Sequence, residues 1–442
     1  MRIPRRPPNI ERIWQSLRPE QLAAVVPGQA RSQPTDEYRH WDELRHRQPP
    51  QDLSHETWWL KLKLARRLYM TPIPLVDDRG IPFGFNVTPQ AHAMLHDLTQ
   101  RASGTIGITD QVTNPQTRNR YLIRNLMEEG IRSSQIEGAS TTRAIAKEML
   151  RSSRPPRDAS EQMILNNYVA MQHIIDLGRD PLTPERVFEL HRLLTEKTLK
   201  DSRAAGRFRR PDENVDVVDP RDNEVLHVPP PADQLPDRLR RMCDFANEKI
   251  PDGFVHPVIR SILLHFWLAY DHPFVDGNGR CARALFYWSM LRQKYWLFQF
   301  ISISEIIHRA PAKYARAFLF TETDDNDATY FVLHQLDVLR KAVDELNEYI
   351  NTSVAQRGLI ESRLRAATEL NDRQVNLLVH ALKYPHARYD IEQHRLTEGV
   401  VYQTARSDLL KLVGAGLFTK RKSGRRWQFI PVSDLEERLR KV

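Results

Sequence analysis

Apolar residues crowd most densely into two neighbouring stretches, VHPVIRSILLHFWLAYDHPF (255–274) and RALFYWSMLRQ (283–293). In both they fall almost all round the helical wheel. That predicts helices buried on every side rather than amphipathic ones. Around them the period is helical but one-sided. RNRYLIRNLMEEGIRSSQIEG (118–138) sets Leu122, Leu126 and Met127 at core spacing and ends on Gly138, a natural helix terminator. Helices are also predicted over 141–152, 161–177, 183–199, 231–250, 301–320 and 327–350. Thr183-Pro184-Glu185 supplies good first-turn chemistry to one of them.

One segment breaks the helical rhythm. In NVDVVDPRDNEVLHVPPP (214–231), Val215 and Val217 alternate with acids, a turn falls at Asp219–Asn223, and Val225 to Val228 follow. The pattern predicts a β-hairpin. Upstream, 1–35 is rich in Arg, Pro and Gln with little apolar pattern, and reads as a flexible basic tail. Residues 36–117 read as a mostly helical region, with Ser54 as a cap and a loop or short hairpin at 73–87. Past about 355 the character changes. Three short helices, NDRQVNLLVHAL, IEQHRLTEG and VYQTARSDLLKLVGAG, precede a basic hairpin turning at Ser423–Gly424. That order suggests a winged helix-turn-helix domain over 360–442. The fold class is therefore mainly α, with a bundle and hairpin over 118–352.

Composition narrows this little. The chain has 442 residues, 40% hydrophobic and 27% charged, which suffices for two or three domains. No apolar run approaches the roughly 20 residues of a membrane span, and the basic N-terminus lacks the apolar core of a secretory signal. Two cysteines, Cys243 and Cys281, give neither a disulfide framework nor a zinc site, so a cytoplasmic location is expected. A net charge of +9 favours acidic partners such as nucleic acid or nucleotide phosphates.

The chemistry concentrates between the two most apolar helices, in HPFVDGNGRCAR (272–283). Pro273 should end the first helix near His272, whose imidazole can then accept a proton at neutral pH. Asp276 offers one hard oxygen, and one carboxylate plus substrate phosphates is a common way to hold Mg²⁺. Gly277 and Gly279 let backbone N–H groups approach an anion, at the start of the next helix. Arg280 and Arg283, three apart, are expected to share a face and fork onto phosphate oxygens. The ensemble describes a polyphosphate cradle with a metal ligand and a base beside it. His256 and His265 have no ligand-like spacing and read as cap or core residues.

These residues resemble the Fic domain signature, HPFx[D/E]GNGRxxR, at every defined position. The resemblance implies a helical Fic-type bundle whose β-hairpin serves as a flap for the target, and transfer of AMP from ATP to a Ser, Thr or Tyr hydroxyl of a protein, this chain itself included. It implies His272 as general base, Asp276 as Mg²⁺ ligand, Gly277, Asn278 and Gly279 as phosphate loop, and Arg280 and Arg283 as phosphate contacts. SSQIEG (133–138) is similar to the family's inhibitory motif, [S/T]xxxE[G/N], which implies a brake built from Ser133, Glu137 and Gly138. The same glutamate could instead position a water for removal of AMP. A third reading is a DNA-binding regulator whose Fic domain senses nucleotide. For the C-terminal region the candidate duplex-DNA contacts are Thr404 and Arg406 on a recognition helix, and Lys420, Arg421, Lys422, Arg425 and Arg426 around the wing. No membrane partner is expected, and a homodimer is left open.

Overall fold

The computed structural model describes residues 2–19, 22, 25, 38–50, 53–103, 115–178, 180–219, 221–250, 253–367, 370–384, 387–423 and 426–441. The chain divides into two compact units, Met1–Leu346 and Asn347–Val442.

The first unit opens with α1 (Ile10–Ser16), α2 (Trp41–Leu44) and α3 (His55–Leu68), then a hairpin of β1 (Thr71–Val76) and β2 (Pro82–Phe85), then α4 (Pro89–Ser103). Next come α5 (Pro115–Ile136), α6 (Arg143–Ser152), α7 (Ala159–Leu177) and α8 (Pro184–Thr195). A second hairpin joins β3 (Val217–Val218) to β4 (Val225–His227). The helices α9 (Leu235–Ala246), α10 (Pro257–Asp271), α11 (Asn278–Arg292), α12 (Ile303–Arg309), α13 (Pro311–Thr323) and α14 (Thr329–Ala367) follow. No helix among the described residues is long and apolar enough to cross a membrane.

Local chemistry sets many of the boundaries. Ser54 caps α3 through Thr57 N–H at 3.1 Å. Thr183 caps α8, with Pro184 in its first turn. The His256 imidazole caps α10 by accepting from Val258 N–H at 3.3 Å.

The centre of the unit is the pair α10 and α11. Ile262, Leu263, Phe266, Leu285, Phe286 and Tyr287 are sealed from solvent, as the all-round apolar pattern predicts. Each such side chain stabilises by about 1.5–3 kcal/mol, and truncating Phe286 to alanine should cost about 3–5 kcal/mol. Polar residues inside the pair are matched: Ser261 donates to Ser289 at 2.7 Å, fixing α10 against α11. His265 is buried among aromatic rings and bonds Tyr314 at 2.7 Å, a core role as expected.

The reading of 1–35 as a flexible tail is corrected only at α1, since residues 20, 21, 23, 24 and 26–35 lie outside the described residues. Residues 10–16 form α1, capped by Asn9, which accepts from Glu11 and Arg12 N–H at 2.9 and 3.0 Å. Ile13 packs with Val25 and Leu60, while Ile10 and Leu17 lie against the same cluster. The spacing 10, 13, 17 is one helical face, hidden in the sequence by the surrounding arginines and prolines. The β3–β4 hairpin is shorter than its sequence pattern suggests. Only Val217 and Val218 form its first strand, and Val215 lies outside it.

The second unit, beyond its share of α14, contains α15 (Asp372–Lys383), α16 (Ile391–Glu398), α17 (Tyr402–Gly414), β5 (Phe418–Ser423), β6 (Arg426–Pro431) and α18 (Leu435–Lys441). Asn371 and Gln374 close a reciprocal capping box on α15. Gly399 takes the left-handed conformation in the three-residue turn between α16 and α17. Leu378, Ala405, Leu409, Leu412, Phe418 and Phe429 form one core, while Leu410 is only half-buried. Buried Asp408 ties α17 to α15 through Arg373 at 2.7 Å and Asn371 at 2.8 Å. A one-residue strand at Tyr389, unmarked by any sequence pattern, exchanges backbone bonds of 2.9 and 2.8 Å with Phe429 on β6.

Candidate active site

The link between α10 and α11 is shaped by bonds that reach across it. α10 does end at His272, whose N–H bonds Leu268 O at 3.0 Å. Its conformation, however, is left-handed (φ 45°), not the extended one that a following proline favours. A non-glycine residue held there costs roughly 1–2 kcal/mol, so the surroundings must enforce it. They do so redundantly. Asn278 accepts from Phe274 N–H at 2.9 Å and donates to Phe274 O at 2.8 Å. Arg209 donates to His272 O at 3.0 Å, to Pro273 O through its backbone at 2.9 Å, and to Pro230 O. The His191 ring stacks on Phe274, centroids 3.8 Å apart.

His191 also fixes the loop by a directed bond. Its Nδ1 accepts from Gly206 N–H at 2.8 Å, so its Nε2 carries the proton and donates to Asp276 O at 2.9 Å. Burial lowers its pKa to about 4, which keeps it in this neutral form. Neither His191 nor Arg209 is visible as a site residue in the sequence. Both lie more than 60 residues from the loop and belong to no motif in it.

His272 itself is poised as a base. Its Nδ1 lies 3.2 Å from Ala269 O, which can only accept, so Nδ1 holds the proton and Nε2 keeps its lone pair. Burial lowers the pKa to about 4, and the imidazole is neutral at pH 7.

Gly277 starts α11 in the left-handed region (φ 83°), and a Cβ there would meet Thr195 Cγ2 at 2.9 Å. The first intrahelical bond runs from Cys281 N–H to Gly277 O, which leaves the N–H groups of 278–280 facing out of the helix end. The Asn278 side chain is consumed by Phe274, so only its backbone can serve an anion. Asp276 is 53% exposed and 3.3 Å from Arg280.

The expectation that Arg280 and Arg283 share a phosphate-facing surface needs correction. Three residues leave their directions about 60° apart on a helix, and α11 lies between different neighbours on those two sides. Arg280 is fully buried and donates to Leu194 O at 2.9 Å and to Asp276, while its Nε has no hydrogen-bond partner among the described residues. Arg283 turns instead to α5, donating to Ser133 Oγ at 2.8 Å, Ser133 O at 2.9 Å and Glu137 Oε1 at 2.9 Å. Burial opposes the Arg283 charge, but Glu137 and its other partners more than offset this and raise the pKa.

The end of α5 explains why Glu137 sits there. Gly138 (φ 96°) stops the helix in a Schellman motif: Gly138 N–H bonds Gln135 O at 3.1 Å and Ala139 N–H bonds Ser134 O at 3.0 Å. Glu137 is thus the first residue past the helix, 27% exposed and against Arg283. A Cβ on Gly279 would collide with the Glu137 carboxylate, so glycine there makes room for it. Higher up, buried Glu129 pins α5 by accepting from Tyr287 and Ser302 hydroxyls at 2.8 Å and Ser304 N–H at 3.1 Å.

The residues fit a polyphosphate with a divalent metal. Donors converge from the α11 N-terminus. Arg283 Nη1 is buried without a well-formed hydrogen bond, although the Tyr314 hydroxyl lies nearby. No group of three or more His, Cys, Asp and Glu residues forms an all-protein metal cage among the described residues. Asp276 offers an exposed carboxylate of the kind that suits Mg²⁺ shared with phosphates. Cys281, inside the same turn, is buried and its thiol is pushed up to about 12.

The candidate nucleic-acid residues lie in the second unit. Arg406, Lys420, Arg421 and Lys422 are exposed, and Thr404 is half-buried. Lys420 Nζ sits 3.9 Å from the Trp427 ring centre. Arg425 and the Arg426 side chain lie outside the described residues.

Comparison with known proteins agrees on the first unit. Residues 181–290 match the Fic/DOC family. A protein adenylyltransferase Fic from Drosophila willistoni is 32% identical over 117 residues, 26% of this chain and 20% of that protein. One from Nematostella vectensis is 34% identical over 106 residues, 24% of this chain and 22% of that protein. The chain thus spans about a fifth of the length of these curated relatives. A Fic family protein from Desulfovibrio desulfuricans G20 shares the fold, with 20% identity, 77% of this chain and 94% of that chain covered, and a TM-score of 0.51. Motif, helical framework and match coincide over one segment, and this chain carries a Fic domain of the Fic/DOC family.

Proposed function

We propose that the chain is an ATP- and Mg²⁺-dependent protein adenylyltransferase restrained by its own Glu137. The observation that carries this is the neutral His272, with its Nε2 lone pair free, beside the anion-facing start of α11. In this reading the phosphates lie on the Gly277–Gly279 backbone at the helix N-terminus. His272 Nε2 takes the proton of a target Ser, Thr or Tyr hydroxyl. The hydroxyl oxygen bonds the α-phosphorus, the bond to the β-phosphate bridging oxygen breaks, and pyrophosphate leaves. Mg²⁺ held by Asp276 would neutralise phosphate charge. Catalysis here is mostly positioning, which the braced loop supplies.

Glu137 competes with the terminal phosphate for Arg283, so nucleotide can enter but sits badly for attack. The test is label transfer from α-³²P-ATP by wild type, Glu137→Gly and Glu137→Gly with His272→Ala. Strong labelling by the second alone supports the reading. Equal labelling by wild type and Glu137→Gly removes the brake, and labelling without His272 removes the base. A second role of Glu137, orienting a water to release AMP, is favoured by its partial exposure. It predicts loss of label from a modified protein that depends on Glu137. A cytoplasmic setting suits such a substrate supply.

The second unit supports a further reading as a winged helix-turn-helix that binds duplex DNA. Its order is helix, one-residue strand, helix, three-residue glycine turn, helix, hairpin. Exposed Arg406 on α17 and Lys420, Arg421 and Lys422 on the hairpin supply phosphate contacts. Binding should weaken with salt, and with Arg406→Ala or Lys420→Ala plus Lys422→Ala. No duplex affinity of the full chain at low salt removes this reading.

A further inference from the structure

The β3–β4 hairpin is poorly equipped to hold its own place. Its strands are two and three residues long with an irregular register, and Val218, Val225 and Val228 are exposed. Short two-stranded hairpins are marginal in water. Arg209 joins Pro230 O, just past β4, to His272 O, and one side chain of the strands themselves also reaches the reaction centre. His227, the last residue of β4, places Nδ1 2.7 Å from Glu322 Oε2 on α13 and Nε2 2.7 Å from Tyr270 O in the last turn of α10. Tyr270 is two residues before His272.

We propose that His227 is a positioning residue that acts as an imidazolium latch, seating the β3–β4 hairpin on the end of α10 and so fixing where a target segment meets His272. This rests on the adenylyl-transfer reading for its consequence, though not for its geometry. The protonation state follows from the partners. A carbonyl oxygen only accepts, and so does a carboxylate, so both ring nitrogens donate. The cation also answers the exposed carbonyls and negative end of the α10 dipole.

The charged surroundings agree. From α13 comes Glu322. From α10 come Asp271, the Tyr270 ring with its centroid at 4.8 Å, and His272. From α9 comes Arg238, which engages Asp271 at 2.7 Å. Arg209 lies beyond, on His272 O. Burial works against the charge, but Glu322, the Tyr270 carbonyl and Asp271 more than offset it and raise the pKa above the ordinary histidine value. A histidine raised in this way contributes fully below about 6.5 and loses its contribution as pH rises through the higher folded value. The latch therefore loosens as pH rises past the ordinary histidine range.

The experiment uses the full chain. With ¹⁵N-labelled histidine, the His227 ring, assigned by its disappearance in His227→Gln, should show both nitrogens protonated at pH 7 and titrate above about 6.5. Glu322→Gln should lower that midpoint. A ring with one proton at pH 7 overturns the proposal. Hydrogen exchange over 217–227 should rise roughly tenfold in His227→Gln, with exchange over 257–271 and ATP affinity unchanged. Unchanged exchange over 217–227 also overturns it. In the Glu137→Gly background, self-labelling from α-³²P-ATP should slow at high pH while the KM for ATP stays constant, and His227→Gln should be slow at every pH. Absence of any labelling would sink the transferase reading instead, leaving the ring protonation and exchange results to decide the latch.

Discussion

The loop from His272 to Arg283 and the helix end bearing Glu137 meet at one guanidinium, yet they are built on opposite terms. The loop is braced several times over by buried groups: Asn278 on Phe274, His191 on Asp276, Arg209 on His272, Arg280 on Leu194. Glu137 offers a single carboxylate, 27% exposed, held in place by a glycine-terminated turn. A preorganised site must resist thermal motion, because small misplacements cost catalysis. A brake must do the reverse and be removable by a modest change. In the proposed reading, rigidity and control are assigned to different segments.

The sharpest way to break this contrast is to remove the base. In the Glu137→Gly background, His272→Ala should lower label transfer by about 10²–10⁴-fold, with nucleotide affinity retained in a binding assay. Next comes the brake. Glu137→Gly should raise transfer by about 5–150-fold in the same label-transfer assay, the usual range of a coupling free energy between two sites. Asn278→Ala should instead act on stability. It orphans a buried N–H and a buried C=O of Phe274, so denaturant titration should find a loss of about 2–4 kcal/mol. A smaller effect is expected for Gly279→Ala, whose methyl pushes on the Glu137 carboxylate. Its labelling rate should rise, but less than for Glu137→Gly.

The mildest probe is pH. The His272 pKa is lowered to about 4 by burial, so the base form persists well below neutrality. Transfer should stay flat from pH 7 down to about 5, and its acid limb should follow as pH approaches the folded value. The unfolded chain takes up this proton near 6.5. Stability should therefore fall as pH drops from about 6.5 towards 4, which thermal melts across that interval would register. An acid limb near 6.5 would mean that His272 is solvated.

What could be read in the sequence was what is local in it. The run 272–283 carries its chemistry within a few residues, whereas the pair Ser133 and Glu137 was marked by its resemblance to the family's inhibitory motif, the spacing alone being common on solvated helix faces. Gly138 ends its helix as its type predicts. Supports drawn from elsewhere were invisible. His191, Arg209 and His227 reach the site from α8, from the segment after it and from β4, and nothing near them in sequence marks the destination. The divergence of Arg280 from Arg283 needed knowledge of which helices flank α11. The left-handed His272 runs against a local rule because its tertiary bonds outweigh it. In the second unit a strand of one residue, Tyr389, is too short to leave any alternation.

The Schellman turn at Gly138 has one more implication. Since Glu137 lies just beyond the last helical residue, its carboxylate can leave Arg283 by a shift of the 137–138 turn alone, while Ser133 stays on the guanidinium and Glu129 keeps the body of α5 anchored. Helix ends open at far smaller free-energy cost than whole elements. In the proposed role of Glu137 as a brake, release is a matter of fraying at one tip, and a binder that grasps the 138–141 segment would gain a handle on it.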